Sequence, residues 1–274
     1  LDVHLLAIYP HGSSVERSGG FQTQEQKREV KEPIYMSRHE TVVRCSDLVN
    51  SRLTDFLEKE VAELKQTAFA PHVRVLSSPN STRAILDGKA VLVLCANNYL
   101  GLANHPAMMQ AAKDAIDRYG AGMGTGRMIM TYDTQNKLEE KLATFKSSKA
   151  SLCFATGYVA NLGSIWPLMT EGDTIISEEL NHASIVDGCR MPRDVNRFIY
   201  KHLDMKDLED RLKASVRERF KGKTMIVSDA VFSMDGDICK LPEMIELAER
   251  YNAFIFIDDA HASGVLGKTG KGTV

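Results

Sequence analysis

Two hydrophobic periods alternate along most of this chain. Between residues 105 and 257, short continuous apolar runs alternate with segments whose apolar positions recur every three or four residues. The first kind reads as buried strand, the second as amphipathic helix. Helices are predicted at His105–Tyr119, Asp133–Phe145, from Tyr158 onward, and at Ala183–Arg190, Met205–Phe220 and Pro242–Tyr251. Strands are predicted at Ser151–Ala155, Thr174–Ser177, Arg197–Tyr200, Thr224–Ser228 and Ala253–Ile257. Pro106 suits the first turn of a helix, whereas Pro167 should end or kink its own. Strands that are apolar throughout and separated by helices imply an α/β fold, a mainly parallel sheet flanked by helices on both faces.

The first third of the chain reads differently. Leu53, Phe56, Leu57, Val61 and Leu64 share one helical face, with Ser46 or Asp47 as cap. Asp87-Gly88 between Arg83–Leu86 and Lys89–Leu94 is a hairpin signal. Residues 1–40 carry Gly and Ser clusters and a polar run, Gln22–Lys31, without lasting period. The expected division is a disordered or non-native leader over 1–40, an N-terminal helix and hairpin over 41–94, and a large domain over 95–274. Folded structure is expected to start near Met36, the first methionine.

Composition adds exclusions. With 43% hydrophobic and 26% charged residues, the chain fits a soluble globular protein and not a disordered, collagen-like or coiled-coil one. A formal charge of −2 gives no electrostatic reason to expect nucleic acid or an anionic membrane as partner. No apolar run approaches the length of a membrane span. The five cysteines, Cys45, Cys95, Cys153, Cys189 and Cys239, are odd in number and form no C-x-x-C. That favours reduced, buried thiols in a cytoplasmic protein over disulfides or a zinc site.

Three motifs resemble sites and fail on context. Gly120, Gly122, Gly124 and Gly126 fall at every second position and follow a helix, whereas a dinucleotide fingerprint needs other spacing and a preceding strand. Ala262–Thr269 is a relaxed P-loop, but no helix pattern follows it to seat a phosphate. Asp258, Asp259 and His261 are metal-ligand types without a further clear ligand, so no metal is expected.

Other residues converge better. Thr156-Gly157-Tyr158 opens a helix after a predicted strand, and Gly157 would let backbone N–H groups approach an anion closely. Asp258 ends a fully apolar strand, where a carboxylate needs a counterpart such as a protonated heterocyclic nitrogen. Ser228-Asp229, Val231–Gly236 and Asn181-His182-Ala183-Ser184 also fall at strand ends. In an open parallel sheet that carboxyl edge is where ligands sit.

Asn181–Gly188, Val231–Gly236 and Asp258-Asp259-Ala260-His261, in this order and spacing, resemble the α-oxoamine synthases. These are fold-type-I enzymes that use pyridoxal 5′-phosphate (PLP) to condense a small amino acid with an acyl-CoA. Cys95–Pro106 resembles the glycine C-acetyltransferase branch in particular, which makes glycine and acetyl-CoA the expected substrates. The resemblance covers roughly residues 50–274. It implies the large domain of the aspartate aminotransferase-like fold, a homodimer when full length, and roles for named residues. Asp258 would pair with the pyridine nitrogen, and His261 and Ser233 would lie near the phenolic oxygen. His182 would stack on the ring and act with Asp258 and His261 in catalysis, Gly157 and Tyr158 would bind the phosphate, and Asn97 and Asp229 would lie near substrate.

One departure follows from the same resemblance. The family lysine that holds the cofactor covalently lies beyond the Asp-x-x-His motif, in a Ser/Thr-x-x-Lys context that Lys268 and Lys271 lack. The smaller C-terminal domain is likewise expected beyond Val274. The polypeptide alone is therefore expected to be inactive and to bind PLP weakly at best. Alternatives are a non-catalytic partner subunit, a specificity like that of 8-amino-7-oxononanoate synthase or serine palmitoyltransferase, or a nucleotide-dependent oxidoreductase. The failed glycine spacing disfavours the last.

Overall fold

A computed structural model describes residues 51–67, 73–217 and 222–274. The expected leader, the proposed cap at Ser46 or Asp47, Cys45 and the end of the predicted 205–220 helix lie outside the described residues. Two compact units emerge. The smaller includes helix α1 (Ser51–Lys65) and the antiparallel pair β1 (Arg83–Leu86) and β2 (Lys89–Leu92). Asp87 and Gly88 join the two strands with φ of 49° and 74°, so both turn residues are left-handed as a two-residue hairpin requires. The predicted apolar face of α1 is present, but its five residues stay 46–56% exposed.

The larger unit contains the parallel sheet. Its strands are β3 (Thr174–Glu178), β4 (Asn196–Tyr200), β5 (Thr224–Asp229) and β6 (Ala253–Asp258), in the order β4-β3-β5-β6 with every pair parallel. The connecting helices are α5 (Ala183–Arg190), α6 (Met205–Arg217) and α7 (Leu241–Arg250); α2 (Pro106–Tyr119), α3 (Asp133–Phe145) and α4 (Gly157–Leu168) precede the sheet. Alternation along the strands divides the core between two faces. Ile175, Met225, Val227 and Phe256 pack with Ile165, Ile185 and Cys189 of α4 and α5. Ile176 and Ile226 pack with Leu208, Leu212 and Met244 of α6 and α7. Strands covered on both faces have no polar side to show, which is why they read as continuous apolar runs. Each fully buried Ile or Leu is worth about 1.5–3 kcal/mol of apolar transfer.

Two expectations are corrected. Ser151–Ala155 is not a strand. Its polar groups bond to α3 instead: the Cys153 N–H donates to Glu139 Oε1 at 2.8 Å and the Ser151 hydroxyl to the Glu139 carbonyl at 2.6 Å. Glu139 is itself held by two bonds from Arg127, of 2.6 and 2.7 Å. The run is apolar but only partly covered, with Leu152 and Ala155 exposed, and a carboxylate took the Cys153 amide that a ladder would have used. The cysteines are not all buried either. Cys189 and Cys239 are, and burial pushes their thiols up to about 12 and about 11. Cys153 is half-buried and Cys95 exposed. Pro167 acts as predicted, since its helix ends one residue later at Leu168. Among the described residues no helix is long and apolar enough to cross a membrane.

Candidate active site

Three parallel strands deliver their ends to one edge. Asp229 and Asp258 are register partners there, and both are nearly buried. Asn181 ties β3 to β5 by donating to the Val227 carbonyl at 2.9 Å and to Ser177 Oγ at 3.0 Å, and by accepting from the Asp229 N–H at 2.7 Å. The Ala230 N–H donates to the Asp258 carbonyl at 2.8 Å, which joins the base of the following loop to β6.

Asp258 is anchored by its neighbours. Its Oδ1 accepts from the Ala260 N–H at 2.9 Å and its Oδ2 from Asn161 Nδ2 at 2.8 Å. Asn161 lies one turn into α4, the helix whose first residues are Gly157 and Tyr158. Thr156 caps that helix by accepting from the Val159 N–H at 3.2 Å, and like those of any first helical turn, the N–H groups of Gly157 and Tyr158 have no intrahelical acceptor. Four residues of α-helix rise about 6 Å. Asn161 therefore stands about 6 Å along α4 from its first residues, and its amide ties that helix to the Asp258 carboxylate.

The same amide reaches a histidine. Asn161 Nδ2 also lies 2.9 Å from Ser184 Oγ, which lies 2.7 Å from His182 Nδ1. The Ser184 N–H donates to that nitrogen too, at 3.3 Å, so Nδ1 is an acceptor and the neutral ring carries its proton on Nε2. His182 caps α5, and its backbone N–H donates to Asp229 Oδ2 at 2.7 Å. Asp258, Asn161, Ser184 and His182 thus form one buried chain of polar contacts ending at an exposed imidazole. Asn161 is the residue that sequence reading missed, and Ser184, noted there within its motif, was given no role. A lone Asn amid the apolar stretch of α4, four places after Gly157, was the available signal.

His261 follows β6 by three residues and is half-buried. Its Nδ1 lies 2.6 Å from the hydroxyl of Tyr99, which also lies 3.3 Å from Asn97 Oδ1. Tyr99, absent from the sequence-based set, connects two residues that were in it. Ser233 and Asn97 are exposed, with Ser233 on the loop after β5. Tyr158 donates its hydroxyl to Asp187, and that bond raises the phenol above its ordinary range. Asp259 lies apart from this chemistry. Its buried carboxylate accepts from Lys146 Nζ at 2.8 Å, and from Ser263 and Thr273.

Asn161 offers a direct check on the network. Asn161→Leu removes the amide that joins Asp258 to Ser184 and leaves two buried groups without that donor. The expected cost is about 1–3 kcal/mol in urea unfolding. A stability within a few tenths of wild type would show that the amide is dispensable.

The family profile described as aminotransferase class I and II matches residues 89–273. The chain belongs to that family. Within it, its relatives are α-oxoamine synthases, whose cofactor is PLP. It is 51% identical over 220 residues to the 8-amino-7-oxononanoate synthase of Thermoanaerobacter pseudethanolicus, covering 80% of this chain and 55% of that protein. Among solved structures, Sphingomonas wittichii serine palmitoyltransferase superposes with a TM-score of 0.71 at 32% identity, over 81% of this chain and 55% of that one. A high-resolution serine palmitoyltransferase structure with PLP gives 0.71 at 31%, with the same coverage. The chain therefore spans about half the length of the relatives it matches. These likenesses confirm the expected fold, an aminotransferase-like large domain. They give no support to the expected closeness to glycine C-acetyltransferase.

Proposed function

We propose that this chain supplies the cofactor-binding half of a PLP-dependent enzyme that joins a small amino acid to an acyl-CoA. The single observation that carries this is the linkage of Asp258 through Asn161 to the N-terminus of α4. A carboxylate tied to a helix whose first-turn N–H groups lack intrahelical acceptors suits the ring nitrogen and the phosphate of PLP. When bound, PLP supplies an electron sink for negative charge at the amino acid's Cα. Asp258 would keep a proton on the pyridine nitrogen, and Asn161 would hold Asp258 still. The N–H groups of Gly157 and Tyr158 would bind the phosphate. Ser184 would fix the ring of His182, leaving Nε2–H to donate to an acyl carbonyl. Tyr99 would orient His261, and Asp229 would act through the His182 backbone. Full-length members would work as homodimers.

The relatives favour one substrate class over glycine with acetyl-CoA. An 8-amino-7-oxononanoate is an aminoethyl unit bonded to a seven-carbon acyl group that ends in a carboxylate. Decarboxylated alanine supplies the first part, and a CoA thioester of a seven-carbon diacid supplies the second. We propose that pair for the protein that contains this chain. Thiol release should be measured with alanine and the carboxylated thioester, serine and palmitoyl-CoA, and glycine and acetyl-CoA. The first pair should be turned over at least about tenfold more efficiently, the discrimination that ~1.4 kcal/mol of differential binding gives. Preference for either other pair would reject the assignment.

A further inference from the structure

Beside the cofactor edge lies a second cluster of titratable groups, for which the proposed chemistry has no use. His202, just past β4, has both ring nitrogens on carboxylates: Nδ1 lies 2.6 Å from Glu178 Oε1 and Nε2 lies 3.2 Å from Asp237 Oδ2. Its ring meets Phe232 edge-on, 4.6 Å between centroids. Glu178 ends β3 and is fully buried; its other oxygen accepts from the Leu180 N–H at 2.6 Å. Phe232 and Asp237 are the two ends of the loop that carries Ser233. They close on each other through Phe232 N–H to the Asp237 carbonyl, 2.9 Å, and Gly236 N–H to the Phe232 carbonyl, 2.7 Å. Gly236 takes a φ of 81° to make that turn.

A neutral imidazole has one N–H and one lone pair. Between two carboxylates, its lone pair would face an acceptor. Only the imidazolium donates to both. We propose that His202 is a positioning residue for Ser233: as a cation between Glu178 and Asp237 it clamps loop 231–238 against the sheet edge. Its bearing on Ser233 rests on the cofactor reading above; the clamp itself does not. Of the other charged groups, Glu179 accepts the His202 backbone N–H at 2.7 Å, Lys201 and Asp204 flank it in sequence, and Asp235 lies on the same loop as Asp237. Partial burial disfavours the charged ring, but hydrogen bonds to Asp237 and Glu178 outweigh it and raise His202 above 6.5. The clamp is then complete below pH 6.5 and is lost as pH rises through that raised value.

The test is amide hydrogen exchange of the full chain by NMR, without cofactor, from pH 6 to 9. The Phe232 and Gly236 amides should lose about tenfold in protection across that range, while Ile226 in β5 keeps its own. In Asp237→Asn, which alters a half-exposed side chain, the loss should begin at lower pH. In His202→Gln, protection should already be low at pH 6. Should His202→Gln fail to fold, Asp237→Asn decides alone. Protection that ignores pH, or an unshifted profile in Asp237→Asn, would overturn the clamp. A PLP titration then separates the two ideas. Affinity that declines over the same pH range supports the role for Ser233, and affinity that stays level while protection falls overturns it. A chain that never binds PLP refutes the cofactor reading and leaves the exchange result to judge the clamp.

Discussion

Lys146→Met is expected to destabilise the folded chain by about 3–5 kcal/mol, the largest effect of any single substitution considered. Lys146 and Asp259 are 3% and 2% exposed, and their charges lie 2.8 Å apart. Lys146 Nζ also donates to Ser263 Oγ at 3.2 Å and to the Lys271 carbonyl at 2.6 Å. Asp259 accepts from Ser263 Oγ at 2.7 Å and from the N–H and hydroxyl of Thr273 at 3.1 and 2.6 Å. The pair therefore binds the glycine-rich segment after His261 to the end of α3. Removing the cation alone leaves a buried carboxylate uncompensated. Gly272 packs directly against that carboxylate, so that a Cβ added there would clash with Asp259 Oδ2. Lys146→Met with Asp259→Leu should cost less than the two changes summed, since the lone buried charge is gone. Guanidinium unfolding of both variants checks this, and a single variant within 1 kcal/mol of wild type would show that the pair contributes little.

The second large effect falls on cofactor binding. Asp258→Asn should weaken PLP about 10–100-fold, the value of a hydrogen bond to a charged group. Asn has nearly the same shape but a single acceptor oxygen, so it can accept from Asn161 or from Ala260 and not from both, and stability must be measured beside affinity to separate the lost charge from the lost buried bond. Fluorescence titration of PLP into both proteins measures it, with the melting temperature as control. Equal affinity at equal stability would remove Asp258 from the ring nitrogen.

The sequence and the structure agree where one physical cause acts alone. β3 and β5 were legible because strands buried on both faces must be apolar, and α3 and α5 because their faces differ. The Asp258 end of β6 was legible because a carboxylate closing an apolar strand demands a partner. The run Ser151–Ala155 misled because an apolar stretch does not by itself supply a pairing partner, and the Glu139 carboxylate took its Cys153 amide. Lys146 was invisible, since its partner lies 113 positions away and a lysine at a helix end is ordinarily solvated. Asn161, Ser184 and Tyr99 share that reason: each acts through a contact between distant segments. Cys95–Pro106, the segment that carries Tyr99 and Asn97, pointed to glycine and acetyl-CoA, a choice that the likeness over 80% of the chain does not support.

The most direct measurement is the ¹⁵N NMR shift of PLP labelled at its pyridine nitrogen and bound to the chain at saturation. The nitrogen should stay protonated to higher pH in wild type than in Asp258→Asn. The same titration curve in both proteins would contradict the central claim that Asp258 holds the ring.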